Sequence, residues 1–181
     1  MAPQKEAAMS ETELRSDRLT LRRVTPQDSG PATDAVADPR VHRMLASVPP
    51  GQTKAQTLAW IATHDRALAE DTGHFFAICA DGALAGIISA TRAATDDPFE
   101  IGYWLAPAAW GKGYCTEAGA LLIRWLETAR GVRALVAGHF TDNPASGRVL
   151  QKLGFLPCGR NRMFSKGRGE TADHMMMARL S

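Results

Sequence analysis

The hydrophobic pattern of this chain changes period several times, and each change marks an element. From Leu14 to Val24 (LRSDRLTLRRV), Leu19 and Leu21 alternate with polar positions at period two, which predicts a half-buried first strand. Thr25-Pro26 followed by Asp28 is a helix start, and that helix is expected to run to about Asp38, before Pro39. Pro49-Pro50-Gly51 interrupts the chain, and Thr53 then caps a second helix in which Leu58, Ile61, Ala62 and Leu68 are roughly helix-spaced. His74–Ala80 and Leu84–Thr91 are β-prone runs on either side of Asp81-Gly82, a hairpin turn. Pro98 opens a strand to Leu105, and Pro107 closes it. The strongest periodicity follows. Ala118, Leu121, Leu122, Trp125, Leu126 and Ala129 fall at i, i+3, i+4, i+7, i+8 and i+11, one buried face of a long helix. Arg133–Phe140 is another strand, and Asn143-Pro144 starts a helix with Ala145, Val149, Leu150 and Leu153 on one side and Gly154 at its end. A strand from Phe155 to Gly159, a basic loop from Arg160 to Glu170 and a last strand from His174 to Leu180 complete the order β-α-α-β-β-β-α-β-α-β-β.

Composition narrows the class. With 181 residues, 45% hydrophobic and 22% charged, the chain fits one globular domain, expected over residues 11–181 behind a polar, flexible tail of residues 1–10. The formal charge of +2 gives no argument for a nucleic-acid partner, and none is expected. No apolar run is long enough to span a membrane, and MAPQKEAAMSETE has no apolar core of a secretory signal. Cys79, Cys115 and Cys158 suit reduced thiols, and a cytoplasmic protein is expected. The histidines at 42, 64, 74, 139 and 174 have no metal-ligand spacing with those cysteines, so no metal is expected. Arg160, Arg162, Lys166 and Arg168 surround Met163-Phe164, but Ser165, Gly167 and Gly169 read as a mobile turn before they read as an RNA contact. Trp60, Trp104, Trp110 and Met175-Met176-Met177 read as core packing.

Candidate chemistry concentrates in EIGYWLAPAAWGKGYCTEAGALLIRWLETAR, from Glu100 to Arg130. Gly111 and Gly113 bracket Lys112 between a strand and a helix start. Glycine lets the backbone approach a ligand, and the first N–H groups of a helix lack internal partners at the positive end of its dipole. This arrangement is an anion cradle. It is not a nucleoside triphosphatase loop, because no Gly-x4-Gly-Lys-Ser/Thr run exists. It is not a dinucleotide fingerprint either, because Thr116 stands where the third glycine belongs and Gly131-Val132 where the acid belongs. EIGYWLAP followed by WGKGYCTEA instead resembles the acyl-CoA loop of the GNAT N-acetyltransferase superfamily, closest to the branch of ribosomal-protein-alanine N-acetyltransferases. DNPASGRVLQKLGF, from Asp142 to Phe155, resembles the second half of that branch's pattern. Two motifs in the right order are more specific than either alone.

The resemblance implies an α/β (α+β) fold of the GNAT type: a mixed, mostly antiparallel sheet of six to seven strands, splayed at the centre and flanked by about four helices. It implies acetyl-CoA as acyl donor and direct attack of an amine on the thioester, without an acyl-enzyme. The amine is either a protein N-terminus, such as that of a ribosomal protein, or a small molecule. A monomer or homodimer is expected. Other readings are an acyltransferase for another acyl-CoA and a catalytically silent CoA-binding module. The diphosphate falls to backbone N–H groups of the turn Trp110, Gly111, Lys112, Gly113, Tyr114, Cys115 and Thr116. Trp110 and Cys115 depart from the residues usual in the superfamily, and Cys115 adds a polarisable thiol beside the helix start. Main-chain groups near Tyr103, Trp104 and Leu105 are assigned to the pantetheine arm and the thioester oxygen, with Gly102 consistent with a bulge or a close approach where two strands part.

Period two puts Glu100, Gly102 and Trp104 on one face of their strand, and Glu100 is the leading candidate base. The rival reading makes it part of a solvated acidic turn with Asp96 and Asp97. An α-amine, with a reference pKa of about 8, needs less help from a base than a lysine amine at about 10.4. His139 is a second candidate base. Asn143 and Ser146 resemble an Asn-x-x-Ser pair, in which Asn143 bonds the pantetheine arm and Ser146 lies near the sulfur as donor or acid. The plainer reading is a helix cap. Tyr114 reads mainly as a ring packed on the sheet. Arg148 and Lys152, one helical turn apart, either reach the 3′-phosphate of the cofactor or form a solvated face.

Overall fold

The computed structural model describes residues 13–181; the expected tail of residues 1–10 lies outside the described residues. Eight strands form one sheet among the described residues: β1 (Leu14–Arg15), β2 (Leu19–Arg23), β3 (Gly73–Ala80), β4 (Ala83–Thr91), β5 (Phe99–Leu105), β6 (Ala134–Phe140), β7 (Leu156–Ser165) and β8 (Glu170–Leu180). Their spatial order is β1-β2-β3-β4-β5-β6-β8-β7. Every neighbouring pair is antiparallel except β5 and β6, which run parallel. The helices are α1 (Ser29–Ala37), α2 (Pro39–His42), α3 (Lys54–Ile61), α4 (His64–Ala69), α5 (Tyr114–Arg130) and α6 (Pro144–Lys152).

Helices cover both faces of the sheet. On one face Leu122 and Leu126 of α5 and Leu150 of α6 are buried against Phe76, Ile78, Ile88, Ile101 and Leu135. On the other, Ala32 of α1 and Ile61 of α3 close over Ala77, Cys79 and Ile87, with Trp60 and Trp104 packed at the border. Burial on two faces is why the central strands are apolar almost throughout, β3 reading Gly-His-Phe-Phe-Ala-Ile-Cys-Ala.

Several sequence expectations change in the structure, each for a local reason. The first strand is two: Ser16 turns the chain, its hydroxyl accepting the Leu19 N–H at 3.1 Å, and Leu14 pairs with Leu21. That split supplies the eighth strand. The first helix ends before Pro39 as expected, but Pro39 opens a further short helix, which Asp38 caps by accepting the Arg40 N–H at 2.8 Å. Thr53 caps α3 in a reciprocal box with Gln56, as expected, but the helix stops at Ile61 and a second begins at His64. Thr57, Ile61 and His64 form the buried stripe there, while Leu58 and Ala62 are exposed. In α5 the inner face includes Gly119 and Ile123, and Ala129 is exposed. Gly119 belongs inside because a Cβ there would lie 2.5 Å from Leu153, the C-cap of α6. Ala145 of α6 is exposed, and the buried positions are Gly147 and Leu150.

The basic stretch from Arg160 is not a loop but the second half of β7, paired with β8 as far as Ser165 and Glu170. An edge strand needs no apolar face, so its polar residues hid it from pattern reading. Asp81 and Gly82, at φ 50° and 79°, turn the β3–β4 hairpin as the sequence suggested.

His64 is 5% exposed, stacked on the Phe75 ring at 3.9 Å, and neither ring nitrogen has a hydrogen-bond partner among the described residues. Burial, aided by nearby Arg23, holds its pKa down to about 4 from 6.5. As pH falls through the unfolded value, the unfolded chain takes up the proton first, so stability drops from there until the native ring charges. His64→Phe keeps the ring stack and is expected to reduce the stability lost between about pH 7 and pH 5 by about 1–2 kcal/mol in urea melts. An unchanged pH slope would show that His64 charges as readily folded as unfolded.

Candidate active site

The defining feature of the site is where β5 and β6 stop pairing. Phe99, Glu100 and Ile101 pair with Leu135, Val136 and Ala137, and there the ladder ends. On their outer sides both strands stay fully paired: β5 with β4 through Leu105, and β6 with β8 through Phe140. Gly102–Leu105 and Gly138–Phe140 therefore face each other across a gap with main-chain groups free of strand partners. The expected bulge at Gly102 is absent, since β4 and β5 keep their register past it. Divergence of two otherwise regular strands makes the gap.

The glycine turn lies at the mouth of this gap. Gly111 and Gly113 have φ of 76° and 80°, a left-handed conformation that other residues adopt only at a cost. Gly113 is the N-cap of α5, and no side chain caps that end. The Glu117 N–H reaches Gly113 O at 3.1 Å, so the amides ahead of it have no acceptor within the helix. A Cβ at Gly111 would meet nothing within 4 Å, which leaves the outer side of the turn open.

Two supports hold the turn. Trp110, 41% exposed and so not the core residue expected, donates its indole N–H to Leu105 O at 2.9 Å and ties the turn to the free edge of β5. The Arg40 guanidinium lies 5.4 Å from its ring centroid. From the other side, Arg18 donates to Lys112 O at 3.1 Å and to Glu117 Oε2 at 2.8 Å, while the Ser16 hydroxyl donates to Glu117 Oε1 at 2.6 Å. The Ser16 hydroxyl and Arg18 hold the Glu117 carboxyl below its usual range. Sequence reading missed this brace, because Ser16 and Arg18 are distant in the chain and carry no motif. The Arg18 guanidinium also sits 5.2 Å from the Tyr114 ring, which packs at the edge of the core.

Across the gap, Tyr103 of β5 points toward α6. Its hydroxyl lies 3.1 Å from Ser146 O, to which it donates, and 3.0 Å from Ser146 Oγ. Burial raises the Tyr103 pKa well above the ordinary value, so the phenol stays protonated. The sequence assigned Tyr103 only a main-chain role; its side chain is the residue that bridges β5 and α6. Asn143 caps α6, its Oδ1 accepting the Ser146 N–H at 3.3 Å, which fixes Ser146 in the first turn. His139 has its Nδ1 2.9 Å from Phe140 O, and a Cβ at Gly147 would lie 2.9 Å from its Nε2, so the ring lies flush against α6.

Cys115, the polarisable thiol expected beside the helix start, lies inward: burial pushes its pKa up to about 12, which leaves no thiolate at neutral pH. Glu100 is exposed, on the face opposite Tyr103, just before the strands part.

These residues line one groove of about 1210 Å³ that runs from the turn Trp110–Thr116, past the gap, to α1, α2 and the loop through Gln52. That exceeds the few hundred Å³ of an ordinary small-molecule pocket and suits an extended ligand with a second substrate beside it. Glu100, Trp104, His139, Asn143 and Ser146 all face it, as do Arg148 and Lys152. The far wall is held shut by the β7–β8 turn: Ser165 Oγ donates to Leu45 O at 2.8 Å, the Lys166 N–H to Ala46 O at 2.8 Å, and Arg168 Nε to Arg43 O at 2.7 Å. Arg168 also grips Asp142, the residue before Asn143, at 2.6 and 2.8 Å. Among the described residues no group of three or more His, Cys, Asp or Glu is arranged to hold a metal ion, and no helix is long and apolar enough to cross a membrane.

The model of the acetyltransferase (GNAT) domain matches residues 18–156. The chain is 29% identical over 170 residues to YoaA of Bacillus subtilis (strain 168), an uncharacterized N-acetyltransferase, covering 88% of this chain and 92% of that one. Its fold matches RimL, a ribosomal L7/L12 alpha-N-protein acetyltransferase solved with coenzyme A, at a TM-score of 0.83 and 19% identity, covering 93% of this chain and 98% of RimL. It also matches the microcin C7 self-immunity acetyltransferase MccE, solved with acetyl-CoA and AMP, at a TM-score of 0.81 and 18% identity, covering 92% and 94%. The family match spans the splayed strands, the glycine turn and α6 together, and the chain belongs to the GNAT acetyltransferase family as an N-acetyltransferase.

Proposed function

We propose that this enzyme moves an acetyl group directly from acetyl-CoA to a primary amine, a peptide N-terminus or a small molecule, in the groove between β5 and α6. The observation that carries the reading is the meeting of three features in one groove: the unpaired edge of β5, the uncapped start of α5, and the Tyr103–Ser146 hydroxyl pair. Amides of Gly111–Thr116 hold the diphosphate, where helix dipole and free N–H groups favour an anion. Arg148 and Lys152 on α6 supply positive charge for the remaining phosphate. Free main-chain groups of Gly102–Leu105 take the pantetheine arm in place of a strand, and one N–H polarises the thioester oxygen.

The amine nitrogen attacks the carbonyl carbon, and the C–S bond breaks as the N–C bond forms. Glu100 accepts one proton of the incoming ammonium through water, and the hydroxyl of Ser146, hydrogen-bonded to Tyr103, passes the second proton from the nitrogen to the departing thiolate, so that it ends the step protonated. His139 is the alternative base, but its ring is held between Phe140 O and α6, whereas Glu100 is exposed to the groove.

Gly113→Val forces a β-branched residue into a left-handed conformation and is expected to weaken acetyl-CoA binding more than tenfold in titration calorimetry; unchanged affinity would refute the cradle. Glu100→Gln is expected to lower turnover by about 10²-fold, most at low pH where the amine is protonated, in a thiol-release assay across an amine panel. A pH profile unchanged in shape and height would remove Glu100 as the base. Ser146→Ala and Tyr103→Phe are each expected to lower kcat by about ten- to a hundredfold with little change in acetyl-CoA affinity. Loss of binding at constant kcat would instead make the pair a structural tie.

A further inference from the structure

The charges along the end of the groove away from the glycine turn do not balance. Among the described residues Glu100 is the only carboxylate lining the groove, while Arg40, Arg43 and Lys166 line the wall built by α2, the loop after it and the β7–β8 turn. Arg40 is neutralised locally by Asp38, with bonds of 2.7 and 3.0 Å. The other two are less fully compensated. Arg43 reaches Asp142 at 3.3 Å, but that carboxylate already takes two shorter bonds from Arg168. Lys166 has no acidic partner within 4.0 Å among the described residues, although its backbone is pinned to the loop through Ala46 O.

The frame beneath these charges is rigid. His42 Nδ1 lies 3.0 Å from Gly167 O, and a Cβ at Gly167 would sit 1.8 Å from His42 O, so turn and loop touch backbone to backbone. The Arg168 side chain is only 7% exposed. The wall therefore carries more positive than negative charge, Arg43 sharing Asp142 with Arg168 and Lys166 having no acidic partner among the described residues, and it repels a plain ammonium and attracts a negative group.

We propose that the acceptor is an amine that also carries an anionic group, a carboxylate or a phosphate, and that Arg43 and Lys166 receive that group while Glu100 faces the amine. This rests on the acetyl-transfer reading above. An acidic peptide N-terminus and a small amino-carboxylate or amino-phosphate share the chemistry.

The test measures kcat/KM by thiol release at saturating acetyl-CoA. One arm uses peptides that differ only in acidic, neutral or basic residues after the first. The other uses small amines with and without a carboxylate or phosphate. Anionic acceptors are expected to be favoured at least tenfold in one arm, which identifies the source, and the preference should shrink with added salt. Arg43→Glu combined with Lys166→Glu should abolish or reverse it with acetyl-CoA affinity unchanged, and Arg43→Lys with Lys166→Arg should retain it. Equal rates for acidic, neutral and basic acceptors, or a preference untouched by charge reversal, would overturn the proposal and leave acetyl transfer standing. No turnover with any amine would overturn both.

Discussion

Two parallel strands that stop bonding to each other set the terms for the rest of this molecule. Backbone N–H and C=O groups left without partners are costly when buried. A gap such as that beyond Ile101 and Ala137 persists only because each strand is fully paired on its other side and water or a ligand reaches the gap. The sheet is in effect two antiparallel halves joined by three residue pairs. α5 and α6 pack across the halves, and Gly119 lets Leu153 come close enough for them to do so. What the strands forgo in mutual hydrogen bonds becomes a place where an extended molecule can bond like a strand.

Around the gap, two polar assemblies fix what the apolar core cannot. Ser16, Arg18 and Glu117 hold the glycine turn, while His42, Ser165 and Arg168 hold the loop opposite. Both join segments remote in sequence through charge-assisted or backbone bonds, which set distance and direction in a way that packing alone does not. Arg168 is the more consequential, since it grips both Arg43 O on the wall and Asp142 beside the cap of α6. One side chain thus ties the loop after α2 to the residue that precedes the cap of α6.

Local chemistry was readable from the chain. Asp81-Gly82 turns at positive φ, Thr53 caps the helix that follows it, and Gly111 and Gly113 take left-handed angles that a missing Cβ makes easy. The long apolar runs announced buried strands. What stayed hidden depends on tertiary partners. β7 reads as a loop because an edge strand carries no apolar pattern, and Gly119 and His64 are inside because of neighbours far along the chain. The gap itself has no signature, since β5 is regular against β4 and Gly102 marks no bulge. Tyr103 was placed on the correct strand but credited with its backbone alone; only the position of α6 reveals what its hydroxyl meets. Cys115 was placed beside the helix start, but only the packing around it shows that burial raises its pKa.

The central claim is that a strand-like ligand bonds the free edge of β5 while its diphosphate sits on the start of α5. Amide chemical shifts in a titration with coenzyme A test this most directly. The account predicts the largest changes at Gly102–Leu105 and Gly111–Thr116, with the paired Phe99–Ile101 amides shifting little. Saturable binding that leaves both segments unmoved and perturbs another face of the sheet would contradict it.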